Sequence, residues 1–345
     1  MNDWHDLQSA LVRVAGGAII TGWRGIEHGI AGVFSTTKRV SWAYLLVSAA
    51  VALSVLWVRR RRQGKRDLAG LLRALAPREI YLHPSSLQDY IWFVLSPAVW
   101  VPLVASVEFV LPILSVWVRD GLVHTLGPAH PLGPAHELTP SVPAQVVCAF
   151  LVFFAVDLGN YVSHWLMHHV GFLWEFHKTH HSAEVLNPAT ADRLHPLERL
   201  LIESCGAVTL GLTVGVLRYL YGPHLSISRV FGINVFAVIT NVISGNLRHS
   251  HVWVSYGPVL ERIFSSPAQH QIHHSRHPDH LDKNLATSFA LWDWLFGTLY
   301  VPPAKPQPLV FGLADRTEHL YRNPWALFAR PFQSNWARLR AFLAH

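Results

Sequence analysis

The chain has 345 residues, of which 51% are apolar and only 14% charged, with fourteen tryptophans and a formal charge of +7. A soluble domain carries about a quarter charged residues, so this composition excludes an ordinary soluble protein and suits a membrane protein with aromatic belts at its interfaces. Two cysteines, Cys148 and Cys205, both fall inside apolar runs, which leaves a disulfide framework, a CxxC redox pair and a thiolate metal site unsupported.

Residues 1–39 are mixed and glycine-containing, without the compact apolar core and cleavage site of a secretory signal. They read as a short amphipathic, interfacial segment. Val40 to Val58 is uncharged and just long enough to cross a ~30 Å hydrocarbon core as a helix. Six basic residues follow within 59–66 and place that end in the cytoplasm. Beside an apolar span, such a run speaks for topology and anionic lipid, not for nucleic acid.

Tyr90 to Val118 is apolar except for Glu108 and contains Pro97, Pro102 and Pro112. It reads as one kinked, tilted span or as a hairpin of two half-helices. Arg119 to Ser141, rich in Gly, Pro and His, reads as a loop. Val142–Val162, Leu200–Tyr221 and Val230–Leu247 complete an all-α membrane bundle of about four or five spans, the last two joined by a YGPHLSI turn. Counting sides from the basic run, with one crossing in 90–118, brings His164 and His249 out on the cytoplasmic face. An even number of crossings there would break the link to the basic run, yet leave both histidines on one side.

Fourteen of the 23 histidines occupy two windows, 164–195 and 249–280. Neutral imidazole is a common ligand for Zn, Fe and Cu. Asp157, Tyr161, His164 and His168 are spaced 4, 3, 4 and share one helix face. The two imidazoles can converge on one ion, while Asp157 and Tyr161 lie where they could hold ring N–H groups or pack as polar groups inside a helix bundle. In HKTHH, His177 pairs with His180 or His181. The rings of His180 and His181 diverge by roughly 100° on a helix, which suits two metals better than one. HQIHH repeats the arrangement with His270, His273 and His274. With His249 the set reaches about nine side chains, too many for one tetrahedral ion and suitable for two. His195 and His251 are carried as further candidate ligands. The isolated His28, His83, His124 and His224 read as ordinary polar or interfacial groups.

These residues carry a resemblance. D-x3-Y-x2-H-x3-H (from Asp157), L-W-x2-H-x2-HH-S (ending at Ser182), N-x5-R-x-HP-x-E (Asn187 to Glu198), His249-Ser250, P-x2-H-x2-HH (Pro267 to His274) and WD-x-LFGT (Trp292 to Thr298) resemble the fatty acid hydroxylase/sterol desaturase superfamily of membrane di-iron oxidoreductases. The likeness spans Val156 to Val301. It implies a helical membrane bundle with a cytosolic cap, O2 as co-substrate, and two Fe held by His164, His168, His177, His180, His181, His249, His270, His273 and His274. It further implies attack on a lipid C–H bond, by hydroxylation or desaturation. Asp157, Tyr161 and Glu198 are the candidates to fix the orientation of the rings. No HPGG-type haem motif occurs, so electrons are expected from a separate b-type cytochrome or a ferredoxin with its reductase. The sequence departs from the family's pattern at His251, where Asn is frequent, and at Asn284-Leu285-Ala286, where Asn-aromatic-Gly is common.

The expected division is an N-terminal membrane region (1–141), a catalytic domain (142–301) and an amphipathic C-terminal tail (302–345). Two rival readings stand beside it. A zinc-dependent membrane hydrolase would need a general base near a ligand, for which Glu175 is the candidate. A non-catalytic metal- or lipid-binding protein would place its ligands mid-membrane or would have lost some of them.

Overall fold

The computed structural model describes residues 23–27, 31, 34, 40–128, 141–222, 229–230, 233–303 and 305–344. Most of the expected interfacial segment, the 129–140 part of the expected loop, and His28 and His224 lie outside these residues.

Among the described residues four helices are long and apolar enough to cross a membrane: α1 (Trp42–Arg62), α4 (Pro97–Leu126), α5 (Val142–His169) and α7 (Pro196–Tyr221). Between them lie α2 (Leu68–Leu75), α3 (Pro84–Leu95) and α6 (Gly171–His181). Only 11–28% of the residues in each apolar window are buried, so these faces, with Leu46, Phe109, Ile113 and Val147 exposed, are matched to lipid and not to a protein core. The chain is an all-α integral membrane protein.

Local chemistry sets the helix limits. α1 ends in four arginines followed by Gly64 at φ 75°, a left-handed position that favours glycine. α4 starts with Pro97 at its first turn, where the missing N–H costs nothing. Pro102 and Pro112 loosen its middle into a 3-10 turn over Ala105–Phe109. The stretch 90–118 is thus one kinked span entered at Pro97, preceded by the separate helix α3. Helix continues to Leu126 and stops at Gly127, φ 84°, so 119–126 is not loop. α7 packs along both α4 and α5. The close approach to α5 is made at Gly159, where an added Cβ would meet Thr209 Oγ1 at 2.6 Å and the Cys205 carbonyl at 2.7 Å. Gly159→Val is therefore expected to separate these helices and lower the melting temperature in detergent by several degrees, a backbone clash costing about 1–3 kcal/mol. An unchanged melt would show that the helices can part freely.

The fifth expected span, 230–247, is not one. Of its described residues only Val235–Gly245 (α8) is helical, about 16 Å at 1.5 Å per residue against the ~30 Å needed. A two-residue antiparallel pair, Arg229–Val230 with Ile233–Asn234, precedes it, and a π-helical turn over Asn241–Gly245 ends it. Apolar composition misled here because it measures depth in the bilayer and not regularity of backbone.

The remaining elements cap one end of the bundle. α9 (Pro267–His273) begins in a capping box, Ser266 with Gln269. α10 (Leu291–Phe296) stops at the left-handed Gly297. α11 (Pro324–Leu343) is capped by Asn323 and packs on α6 and α3. Arg59, at the basic end of α1, donates to the Trp253 carbonyl. His251 donates from Nε2 to the Ala74 carbonyl at 2.8 Å. The basic end of the first span and the second histidine window therefore share one end of the molecule.

Candidate metal centre

Helical periodicity builds most of the centre. His164 and His168 lie one turn apart near the end of α5, and His177 and His181 one turn apart on α6. With His273 at the end of α9 they form a group whose ring nitrogens all lie within 4.8 Å of one another. His180 of α6, His270 of α9, His274 and His249 form a second group under the same limit. The adjacent pairs His180/His181 and His273/His274 are each split between the groups, as the divergence of neighbouring rings on a helix requires. The groups adjoin along this seam: the rings of His181 and His274 are 4.7 Å apart, and those of His273 and His274 5.3 Å.

The second nitrogen of each ring decides what the first can do. In the five-histidine group, Nδ1–H of His164 donates to the Leu285 carbonyl (2.6 Å) and that of His273 to the Lys283 carbonyl (2.9 Å). His177 donates to Glu198 Oε1 (2.7 Å) and His168 to Asp282 Oδ1 (2.9 Å). Each neutral ring then presents only a lone pair at Nε2. Yet Nε2 of His177 sits 3.1 Å from Nε2 of both His164 and His181, and the buried Nε2 atoms of His168 and His273 have no hydrogen-bond partner. Converging lone pairs repel unless a cation lies among them. In the second group the Nε2 atoms of His249, His270 and His274 stand 2.9–3.2 Å apart, with His180 Nε2 3.3 Å from His249. Both groups therefore fit metal ions with all-imidazole ligation, suited to Fe, Zn or Cu.

Burial holds the imidazoles of His177, His180, His181, His270, His273 and His274 well below their ordinary range, in the neutral form that binds metal. Because the folded values lie below the unfolded value of about 6.5, the unfolded chain takes up more protons as pH falls. Metal-free protein should be most stable above pH ~6.5 and lose stability steadily below it. Thermal melts of the apoprotein from pH 8 to 5 measure this. A flat profile would mean that the rings protonate without penalty.

The supports differ in part from expectation. Glu198 does hold a ring, that of His177. Its other oxygen accepts the backbone N–H of His195 (3.2 Å) in the capping box that starts α7. His195 itself caps that helix, accepting from the Leu197 N–H (3.1 Å) and donating to the Phe328 carbonyl (3.1 Å). It aims Glu198 and joins neither histidine group. His251, tied to Ala74, also stands apart.

Asp157 touches no histidine: it accepts from the N–H groups of Ser288 (2.9 Å) and Phe289 (3.0 Å) and from Trp292 Nε1 (3.1 Å). Tyr161 meets Thr298 Oγ1 at 3.0 Å. Both side chains reach past the rings to pin the 285–298 segment onto α5. That segment supplies what the sequence did not disclose. Asp293, whose carboxyl burial pushes up to about 6, accepts from the N–H groups of Leu285 (2.8 Å) and Ala286 (3.0 Å). It thereby fixes the carbonyl that holds His164. Asp282 and Asn284 adopt φ 56° and 57°, left-handed positions that Asp and Asn tolerate. This backbone turns the Lys283 and Leu285 carbonyls toward the rings. The motif WD-x-LFGT contained Asp293 without revealing its use.

Behind α6, Arg193 donates to the Thr179 carbonyl (2.9 Å), Ser182 Oγ (2.9 Å) and Asp89 Oδ1 (2.8 Å). It ties the last turn of the histidine-bearing helix to α3. Glu175 is paired with Lys178 (3.2 Å) and Arg338 (2.7 Å), so the base that a hydrolytic reading needs is turned to other work.

Residues 149–298 match the fatty acid hydroxylase family. The chain is 32% identical over 164 residues to alkylglycerol monooxygenase of Homo sapiens, covering 48% of this chain and 32% of that protein. It is 30% identical over 188 residues to the ornithine lipid hydroxylase OlsE of Rhizobium tropici, covering 54% and 50%. It is 27% identical over 162 residues to the sphingolipid C4-hydroxylase sur2 of Schizosaccharomyces pombe, covering 46% and 50%. The match thus spans between a third and a half of the length of these relatives. No solved structure matches the chain. The matched residues contain all nine converging histidines with Glu198, Asp282 and Asp293, so the whole centre lies in the part of the chain that matches the fatty acid hydroxylase family.

Proposed function

We propose that the protein is an O2-dependent lipid hydroxylase with a di-iron centre held by the nine histidines. The observation that carries this reading is the pair of adjoining all-imidazole groups, five and four strong. An unactivated C–H bond is beyond side-chain acid–base chemistry, so a redox metal has to supply the oxidant. Two irons, when bound, supply O2 activation. The overall reaction takes R–H, O2, two electrons and two protons to R–OH and water, the electrons coming from a separate b-type cytochrome or a ferredoxin with its reductase. Loss of a second hydrogen in place of oxygen insertion would make the reaction a desaturation. The relatives' names favour hydroxylation.

The chain's own part is positional. Glu198 and Asp282 orient His177 and His168, while the Lys283 and Leu285 carbonyls orient His273 and His164. Cytoplasmic placement is supported by the basic end of α1, which lies at the same end as the centre. Glu198→Gln keeps an acceptor for His177 but aims an amide N–H₂ at the His195 N–H, and should weaken metal retention roughly 10–100-fold. Competition against a chelator measures this, and unchanged retention would remove Glu198 from the centre.

Metal analysis with Mössbauer spectroscopy of the purified protein tests the whole reading. About two irons per chain with a coupled signal would sustain it. One tightly held zinc, with no iron on reconstitution, would overturn it.

A further inference from the structure

Two cavities adjoin the centre and share one side chain in their walls. The first, about 380 Å³, reaches the rings of both groups, with His164, His180 and His270 in its lining. The second, about 290 Å³, lies between the end of α5, the start of α6 and the first turns of α7. Met167 lines both. It is the only methionine after Met1 and is 2% exposed. Its unbranched thioether has three rotatable bonds and adapts to its surroundings more readily than a branched apolar side chain.

The second cavity is lined almost wholly by apolar groups, among them Phe172, Leu173, Phe176 and Leu201. Its two polar members are engaged elsewhere. Glu198 accepts from His177 and from the His195 N–H, and Ser204 Oγ donates to the Leu200 carbonyl at 2.7 Å. A water needs several polar partners, and a cavity without them stays dry and takes apolar guests. Phe172 is exposed, and contacts through Phe176 and Asn335 join it to α11, where Phe332 and Trp336 are exposed too. Such an apolar rim suits the acyl side of a membrane surface. Toward the centre the cavity meets Glu198 and Met167 but none of the nine rings. A long chain entering here would stop behind His177, at the Nδ1 edge that Glu198 holds. A diatomic molecule needs only Met167 to swing aside.

We infer that this apolar cavity collects dioxygen from the bilayer and that Met167 is the gate through which it passes to the rings. O2 is apolar and favours hydrocarbon over water. A route of its own lets O2 arrive while an organic substrate occupies the space beside the rings. The inference rests on the reading that O2 is consumed at this centre.

The test pairs a crystal structure of the full-length protein under xenon pressure with stopped-flow oxidation of the reduced, iron-loaded protein by O2. Xenon, an apolar atom that scatters strongly, should lie between Leu201 and Met167. It should be lost in Leu201→Trp, which fills the cavity, and kept in Met167→Leu, a swap that conserves volume. The bimolecular rate constant for O2 should fall at least about fivefold in Leu201→Trp and about threefold in Met167→Leu, the stiffer gate. Oxidation by ferricyanide, which is too large and charged for this route, should be unchanged in both. An empty cavity, an ordered water or a detergent chain in it, an O2 rate indifferent to both substitutions, or an equal slowing with ferricyanide would overturn the inference. Should Leu201→Trp not fold, Ser204→Phe, one turn along α7, fills the same cavity and carries the comparison. Protein that takes up no iron, or does not react with O2 once reduced, sinks the oxidoreductase reading and this one with it. An empty cavity in protein that does react sinks this one alone.

Discussion

Asp89→Leu is expected to lower the melting temperature by on the order of 10 °C and to strip the centre of metal. Asp89 and Arg193 are both 1% exposed. The Asp89 carboxylate accepts from Arg193 at 2.8 Å, Asn187 at 2.9 Å and Thr190 at 2.7 Å. Removing it leaves a buried guanidinium without its charge partner, which costs about 3–5 kcal/mol, a large share of a typical net stability of about 5–15 kcal/mol. The same guanidinium holds the Thr179 carbonyl, one residue before His180, so disorder there reaches both histidine groups. The double change Asp89→Leu with Arg193→Met removes both charges and should recover part of the loss. Scanning calorimetry in detergent, beside iron content, gives the answer. A double variant less stable than the sum of the two singles would rule out this account of the pair. Asp89 lies outside residues 149–298, so the N-terminal helices are part of what makes the matched region work.

The second large effect separates two neighbours. His273→Ala removes a ring from the five-histidine group and His274→Ala one from the four-histidine group, although the two are consecutive. Each should lower turnover by roughly a thousandfold, about 4 kcal/mol of transition-state stabilisation. The damage should differ in kind: each variant should retain about one iron, in a different environment, and the two Mössbauer signals should not coincide. Identical spectra from both variants would mean that the nine histidines act as one pool and not as two sites.

Much of this centre was legible because histidines at i, i+3 and i+4 must share or split helix faces, whatever the tertiary structure. The division of His180 from His181 and of His273 from His274 follows from that rule alone. What stayed hidden is instructive in physical terms. The acceptors for His164 and His273 are main-chain carbonyls, which leave no signature of side-chain identity. Asp157 lies on the same helix face as His164, yet its carboxylate reaches a neighbouring loop. Spacing fixes a direction and not the partner met there. The short α8 hid behind a long apolar run. Asp89 belongs to no motif, and only the fold brings it to Arg193.

The C-terminal helix has a bearing on biosynthesis. α11 takes Thr179 Oγ1 on its Leu327 carbonyl (3.1 Å) and His195 on its Phe328 carbonyl (3.1 Å), so it braces α6 and the start of α7 from behind. All nine histidines leave the ribosome before this brace is made. A chain truncated after residue 300 would display every imidazole with no backing, as a loose chelator. Iron delivered after release would instead meet rings already locked in place. The order of synthesis thus favours insertion of metal into the finished, membrane-seated chain.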